Sequence, residues 1–152
     1  MELIWEYFVV FVMAAVPWLE ILIVIPIAVG MGLDPWLTAV VSFVGNFLPV
    51  AGIIYLLQYM EKTTWYKKRQ ERKKQNAKKD RGARGRKVFQ KYGLPGLALL
   101  GPAITGIHLA AVIALSFRAE KHATFWWMAV SLGIWTVVVT IGSVLGVGWI
   151  TS

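Results

Sequence analysis

The chain has 152 residues, 57% of them hydrophobic, a net charge of +8, no cysteine and a mean hydropathy of +0.60. Soluble domains sit nearer half apolar and interleave polar residues, so this composition excludes an ordinary soluble fold. The missing cysteines exclude disulfides and thiol chemistry.

The N-terminal octet, MELIWEYF, carries acids where a signal peptide has a basic region, which argues against a cleaved leader. Residues 12–35, VMAAVPWLEILIVIPIAVGMGLDP, then hold one carboxylate, Glu20, between Pro17 and Pro26. Proline removes a backbone N–H and clashes with the preceding turn, so this apolar run is expected to be broken. Asp34-Pro35 reads as an N-cap followed by the first helical position, opening a helix that runs to about Met60. Residues 35–60 carry no charge and are long enough to cross a hydrocarbon core of about 30 Å. Asn46 falls mid-span, where an amide needs a partner and either bridges helices or meets a substrate.

Fourteen of the 16 Lys and Arg lie between Lys62 and Lys91. Basic residues beside membrane segments stay on the cytoplasmic side, so 61–91 reads as a cytoplasmic loop that sets topology. The sharper alternative is a polybasic patch that also holds anionic lipid headgroups. No base-stacking platform accompanies the charge, so nucleic acid is not an expected partner. Beyond the loop, Gly93-Leu94-Pro95 reopens helix, and Pro102 with Gly101 and Gly106 interrupts it. Arg118, Glu120 and Lys121 precede a last uncharged segment, from about His122 to Ile150. There, Gly142 and Gly146 form a small-xxx-small face suited to a homo-oligomer contact or to an internal helix crossing.

Two topologies fit an all-α integral membrane protein. In one, four segments span and both termini lie inside. In the other, 3–33 and 93–117 are re-entrant hairpins, each followed by one transmembrane helix, 35–60 or 122–150. The second places Arg118 and Lys121 on the cytoplasmic side with the basic loop, as the positive-inside bias prefers. It divides the chain into a first repeat (1–60), the basic loop (61–91) and a second repeat (92–152) inserted the opposite way. Inverted repeats of this kind mark secondary transporters that bind at the midplane, where broken helices meet. This is the expected fold.

The stretch VPWLEILIVIPIAVGMGLDPWLTAVVSFVGNFLPV resembles the first half of the putative small multidrug export protein family. The resemblance rests on Pro17, Glu20, Pro26 and the Gly45-Asn46-Phe47-Leu48-Pro49 element. KYGLPGLALLGPAITGIHLAAVIA is similar to that family's second half, through Tyr92-Gly93 and the Gly101–Gly106 break. The family is in turn similar to the DedA-type group, with two opposed re-entrant helices and roles in proton-linked transport or lipid translocation. Where the pattern has an Arg two residues after the Glu, this chain has Leu22, and the second break has only one proline. The resemblance implies a prokaryotic plasma membrane.

Glu20 is the main candidate for chemistry. A carboxylate inside the bilayer normally faces a cavity or a partner, and burial disfavours its charged form, which suits proton exchange. Broken helices leave backbone groups free to bind ions or headgroups, which brings Pro26, Pro102, Thr105 and Gly106 into the candidate site. His108 is a candidate proton relay, with packing as the alternative. Arg118 could bind a phosphate, pair with Glu120 or simply anchor the chain at the interface. No metal cluster, catalytic triad or nucleotide fingerprint is present, so neither an enzyme nor a cofactor is expected. The expected function is proton-coupled secondary transport of small molecules or of lipid phosphates. The alternative is a scaffold that uses its basic loop for partners.

Overall fold

Every described segment is helical. The computed structural model describes residues 2–17, 19–61 and 82–151, so residues 62–81 of the expected basic loop lie outside it. The helices are α1 (Glu2–Ala15), α2 (Glu20–Gly30), α3 (Pro35–Glu61), α4 (Gly82–Ile104), α5 (Ile107–Ser116) and α6 (Lys121–Thr151). Each half therefore reads helix, break, short helix, long helix.

Local sequence accounts for most of the boundaries. Glu2 lies in the first turn of α1, where an acid complements the positive end of the helix dipole. Pro17 follows the last residues of α1, and proline cannot continue a helix. The turn between α2 and α3 uses Gly32 at φ +92°, and the Asp34 carboxylate accepts the Leu37 N–H at 2.7 Å, the expected N-cap. In α4, Gly93 takes φ 68°, ψ −160°, a kink just before Pro95. Gly106 takes φ +83° and separates α4 from α5.

The fourth helix begins well inside the stretch expected to be loop. Its charge masks an apolar side, because Val88 and Phe89 pack against the core and Phe89 stacks on Phe117 at 4.8 Å. A Cβ on Gly85 would lie 2.7 Å from the Ile113 Cδ1 and 3.1 Å from the Thr105 methyl, so glycine lets this stretch sit close against α5.

Two helices, α3 over Pro35–Leu56 and α6 over Lys121–Gly148, are long and apolar enough to cross a membrane. Their faces are inverted relative to a soluble helix. On α3, Thr38, Ser42 and Asn46 are buried while Leu37, Val40, Val44 and Leu48 are exposed. On α6, Ser131, Thr136 and Thr140 are buried while Ile134, Val138, Ile141 and Leu145 are exposed. Apolar faces this extensive are matched by lipid, where exposing Leu and Val is favourable and exposing hydroxyls is not.

The two halves pack across one another. Helix α2 lies against α6, α3 lies against α5, and α3 and α6 meet directly. The shared core draws Ile21 and Ile25 from α2, Val50 and Ile54 from α3, Ile107 and Ala110 from α5, and Met128 and Leu132 from α6. Glycine sets two close approaches: a Cβ on Gly45 would lie 2.5 Å from the Phe11 carbonyl oxygen, and one on Gly101 would lie 2.6 Å from the Ala110 Cβ. Proline is compensated across elements. Pro102 has no N–H to give the Ala98 carbonyl, and the Ser131 hydroxyl of α6 donates to that carbonyl at 2.6 Å.

Candidate functional site

The crossed packing brings the two breaks together. Glu20 opens α2 after the first break, and Ile107 opens α5 after the second. Helix starts leave N–H groups without intrahelical acceptors and carry the positive end of the dipole, so a carboxylate is favoured there. Glu20 fills that role from the other half of the chain: its Oε2 accepts the Ile107 N–H at 3.3 Å. Its Oε1 lies 3.1 Å from His108 Nδ1, and both side chains are almost wholly buried.

Backbone geometry is adapted to this contact on both sides. Glu20 has φ 36°, a left-handed value that non-glycine residues rarely adopt. Holding it there stores about 1–3 kcal/mol of strain, sustained by the surrounding contacts. Opposite it, a Cβ on Gly106 would lie 2.6 Å from Oε1, so only glycine lets the carboxylate reach the helix start.

The pair lies beside a cleft of about 450 Å³ lined by Pro17, Leu19, Glu20, Leu22, Ile23, Pro102, Thr105, Gly106, His108 and Leu109. Pockets of this size hold small organic molecules, usually with a few convergent polar groups among apolar walls. Proline and aliphatic side chains surround the polar groups of Glu20, Thr105 and His108, and no Lys or Arg is among the described lining residues. A second, apolar cavity of about 190 Å³ lies between α1 and α2, with Glu6 as its one charged lining residue.

Of the residues singled out from sequence, Glu20, Pro102, Thr105, Gly106 and His108 share the cleft. Thr105 turns its hydroxyl to the Gly101 and Gly106 carbonyls at 3.4 and 3.3 Å, so it caps the break. Pro26 is exposed within α2 and does not line the cleft. Asn46 is fully buried on α3, and neither end of its amide has a hydrogen-bond partner. Arg118 is exposed in the turn between α5 and α6, at φ 60°, away from the cleft lining.

Sequence reasoning missed the pairing of Glu20 with His108, which are 88 residues apart and linked by no spacing rule. The position where the family pattern has Arg, Leu22, is part of the apolar wall. Sequence reasoning also missed Thr38 and Ser42, although their four-residue spacing with Asn46 was a readable signal of one helix face.

Within the described residues, no group of three or more His, Asp or Glu could hold a metal ion. What the arrangement can do is exchange protons between a carboxylate and an imidazole, at a contact that also joins the two halves. Among known proteins, the model of the family described as putative small multi-drug export protein matches residues 20–138. No curated protein and no solved structure matches the chain. The matched range starts at Glu20, just past the first break, and takes in the second.

Proposed function

The chain belongs to that small multi-drug export family, and we propose that it is a secondary exporter of small molecules driven by protons exchanged at Glu20 and His108. The observation that carries this reading is the buried Glu20–His108 contact, set at the meeting of two broken helices and beside a cleft of small-molecule size.

The contact works as a latch whose strength depends on a proton. An ionised Glu20 accepts two bonds, from Ile107 N–H and from His108, and charge-assisted bonds of this kind are the stronger ones. A proton on Glu20 weakens both bonds, loosens α2 from the start of α5 and lets the strained φ at Glu20 relax. Proton occupancy therefore biases whether the halves hold together over the cleft, which is what alternating access requires. Apolar walls around one carboxylate favour neutral or cationic organic solutes. A lipid phosphate would find no Lys or Arg among the described lining residues.

The re-entrant, inverted arrangement is part of this proposal. It is supported by the matching order of elements in the two halves and by their crossed packing. The stacking of Phe89 on Phe117 supports a common cytoplasmic side for the basic stretch and Arg118–Lys121. Single-cysteine labelling tests it in this cysteine-free chain. A cysteine at Ala119 should react only from the cytoplasmic side and one at Glu2 only from outside; the reverse pattern would favour four plain spans.

The function itself is tested with Glu20→Gln, which keeps the side-chain shape and removes the titrating proton. In proteoliposomes screened with organic amines and neutral drugs, wild type should show solute-dependent proton movement. The purified, monodisperse variant should show none. Normal coupled transport by the variant would make Glu20 structural.

A further inference from the structure

The buried side-chain polar atoms left without a partner, among the described residues, are Thr38 Oγ1, Ser42 Oγ, Asn46 Nδ2 and Oδ1, and His108 Nε2. Four of these five sit at four-residue spacing on α3, on side chains with no solvent exposure. The chain supplies its own control. On α6, Thr124, Thr136, Thr140 and Ser143 each donate to the carbonyl four residues back at 2.7–2.8 Å. Thr38 and Ser42 are hydroxyls of the same kind on an equally apolar helix, yet they do not bond backward. Leaving such groups dry costs the folded state their full desolvation, so an occupant must satisfy them.

The chemistry of Asn46 selects the occupant. Both its donor and its acceptor lack partners. A bare cation would satisfy Oδ1 and strand the N–H, and an anion would do the reverse. Water satisfies both, and it also suits two hydroxyls.

Helix geometry shows where such water leads. At 1.5 Å per residue, Thr38 to Asn46 covers about 12 Å, starting just inside the helix start at Pro35. Helix α2 packs against α3 and joins it through residues 31–34. Glu20 lies about 15 Å along α2 from that turn and Asn46 about 16 Å along α3 from it, comparable path lengths from the shared joint. At the outer end, Asp34 is exposed and its N–H donates to the Tyr7 hydroxyl at 3.2 Å. At the inner end, α5 packs on α3, and His108 Nε2 is the unpartnered nitrogen of the ring whose Nδ1 holds Glu20.

We propose that a file of ordered water along Thr38, Ser42 and Asn46 carries protons between the α2–α3 turn and the Glu20–His108 pair. Delivery balances simply: an N–H bond forms at Nε2 as the Nδ1–H bond breaks, and that proton forms O–H at Glu20 Oε1. The ring is left neutral in its other tautomer, and return of the proton reverses each step. Asp34 and Tyr7 are the titratable groups at the mouth of the route.

This route rests on Glu20 and His108 being the coupling pair, and the test separates the two claims. Protein in lipid nanodiscs is given a pH jump, and protonation of Glu20 is followed by its carboxyl infrared band, assigned by difference against Glu20→Gln. Ser42→Ala and Asn46→Leu should slow the band's rise at least about tenfold while leaving its final amplitude unchanged. Asn46→Ser, which can still bind water, should restore the speed. In parallel, Ser42→Cys should react with a small hydrophilic thiol reagent, because the reactive thiolate forms only where water reaches it. Unaltered rates in both variants, together with an inert thiol in Ser42→Cys, overturn the route and leave the coupling pair standing. A Glu20 band that never titrates overturns the pair, and the route with it.

Discussion

The two breaks occupy equivalent places in the two halves, yet they are built from opposite chemistry. The first offers a side-chain acceptor, the Glu20 carboxylate, on a backbone strained to φ 36°. The second offers donors, the Ile107 N–H and the His108 ring, behind a glycine at φ 83° that keeps the approach open. Neither is a site alone. A matching order of elements with complementary chemistry yields one buried contact between the halves, so the contact reports on their association. A symmetric pair of carboxylates or of helix starts would repel and could not latch.

The largest effect that would sharpen this comparison comes from Gly106→Ala. Its Cβ would collide with Glu20 Oε1, and its backbone conformation is nearly exclusive to glycine, at a cost of about 1–3 kcal/mol. Coupled transport should be lost and thermal stability in detergent should fall; a stable, active variant would mean the breaks do not close on each other. Next comes His108→Gln, which retains a donor toward Glu20 but cannot titrate. Proton-coupled flux should fall roughly 10²-fold with little change in unfolding midpoint, by analogy with the loss of a positioned acid–base group. Unchanged flux would reduce the second break to a backbone cap.

Ser131→Ala tests support rather than chemistry. It strands the Ala98 carbonyl released by Pro102, which should cost about 1–3 kcal/mol by thermal unfolding and leave the pH profile of transport as it was. A shifted profile would implicate α6 in the proton site. The smallest effect is expected from Thr105→Val. Its hydroxyl makes two long bonds to nearby carbonyls, so stability should change by no more than about 1 kcal/mol and transport should persist. A large loss there would show that the second break contacts solute through Thr105.

Much of this fold was legible because its punctuation is local. Pro17, Asp34-Pro35, Gly93 and Gly106 each act on their own turn, so their effect can be read without knowing the neighbours. The helix from Gly82 was hidden because its charges outweigh the short apolar contribution of Val88 and Phe89, whose value appears only with Phe117 opposite. In the site, the residue types could be read and their partnership could not. Glu20 was conspicuous as a lone acid, but nothing local says that its partner lies 88 residues away. Thr38 and Ser42 went unread for a different reason. Their four-residue spacing with Asn46 marked one face of an apolar helix, but small hydroxyls are common in such helices, and only packing shows that this face is buried without partners.

The bond from Ser131 to the Ala98 carbonyl has a mechanical meaning. With the Trp135 indole donating to the Leu99 carbonyl at 2.8 Å, it rivets α4 to α6 at two successive carbonyls just before the second break. A riveted pair moves as one lever, and the joint left to flex between it and α5 is Gly106. The carbonyl that Pro102 leaves without an N–H is thus already bonded across to α6, and a stroke that swings α5 about Gly106 leaves that bond in place. Amide hydrogen exchange should show that division as slow exchange along α4 beside Ser131 and faster exchange in the first turn of α5 once Glu20 is protonated.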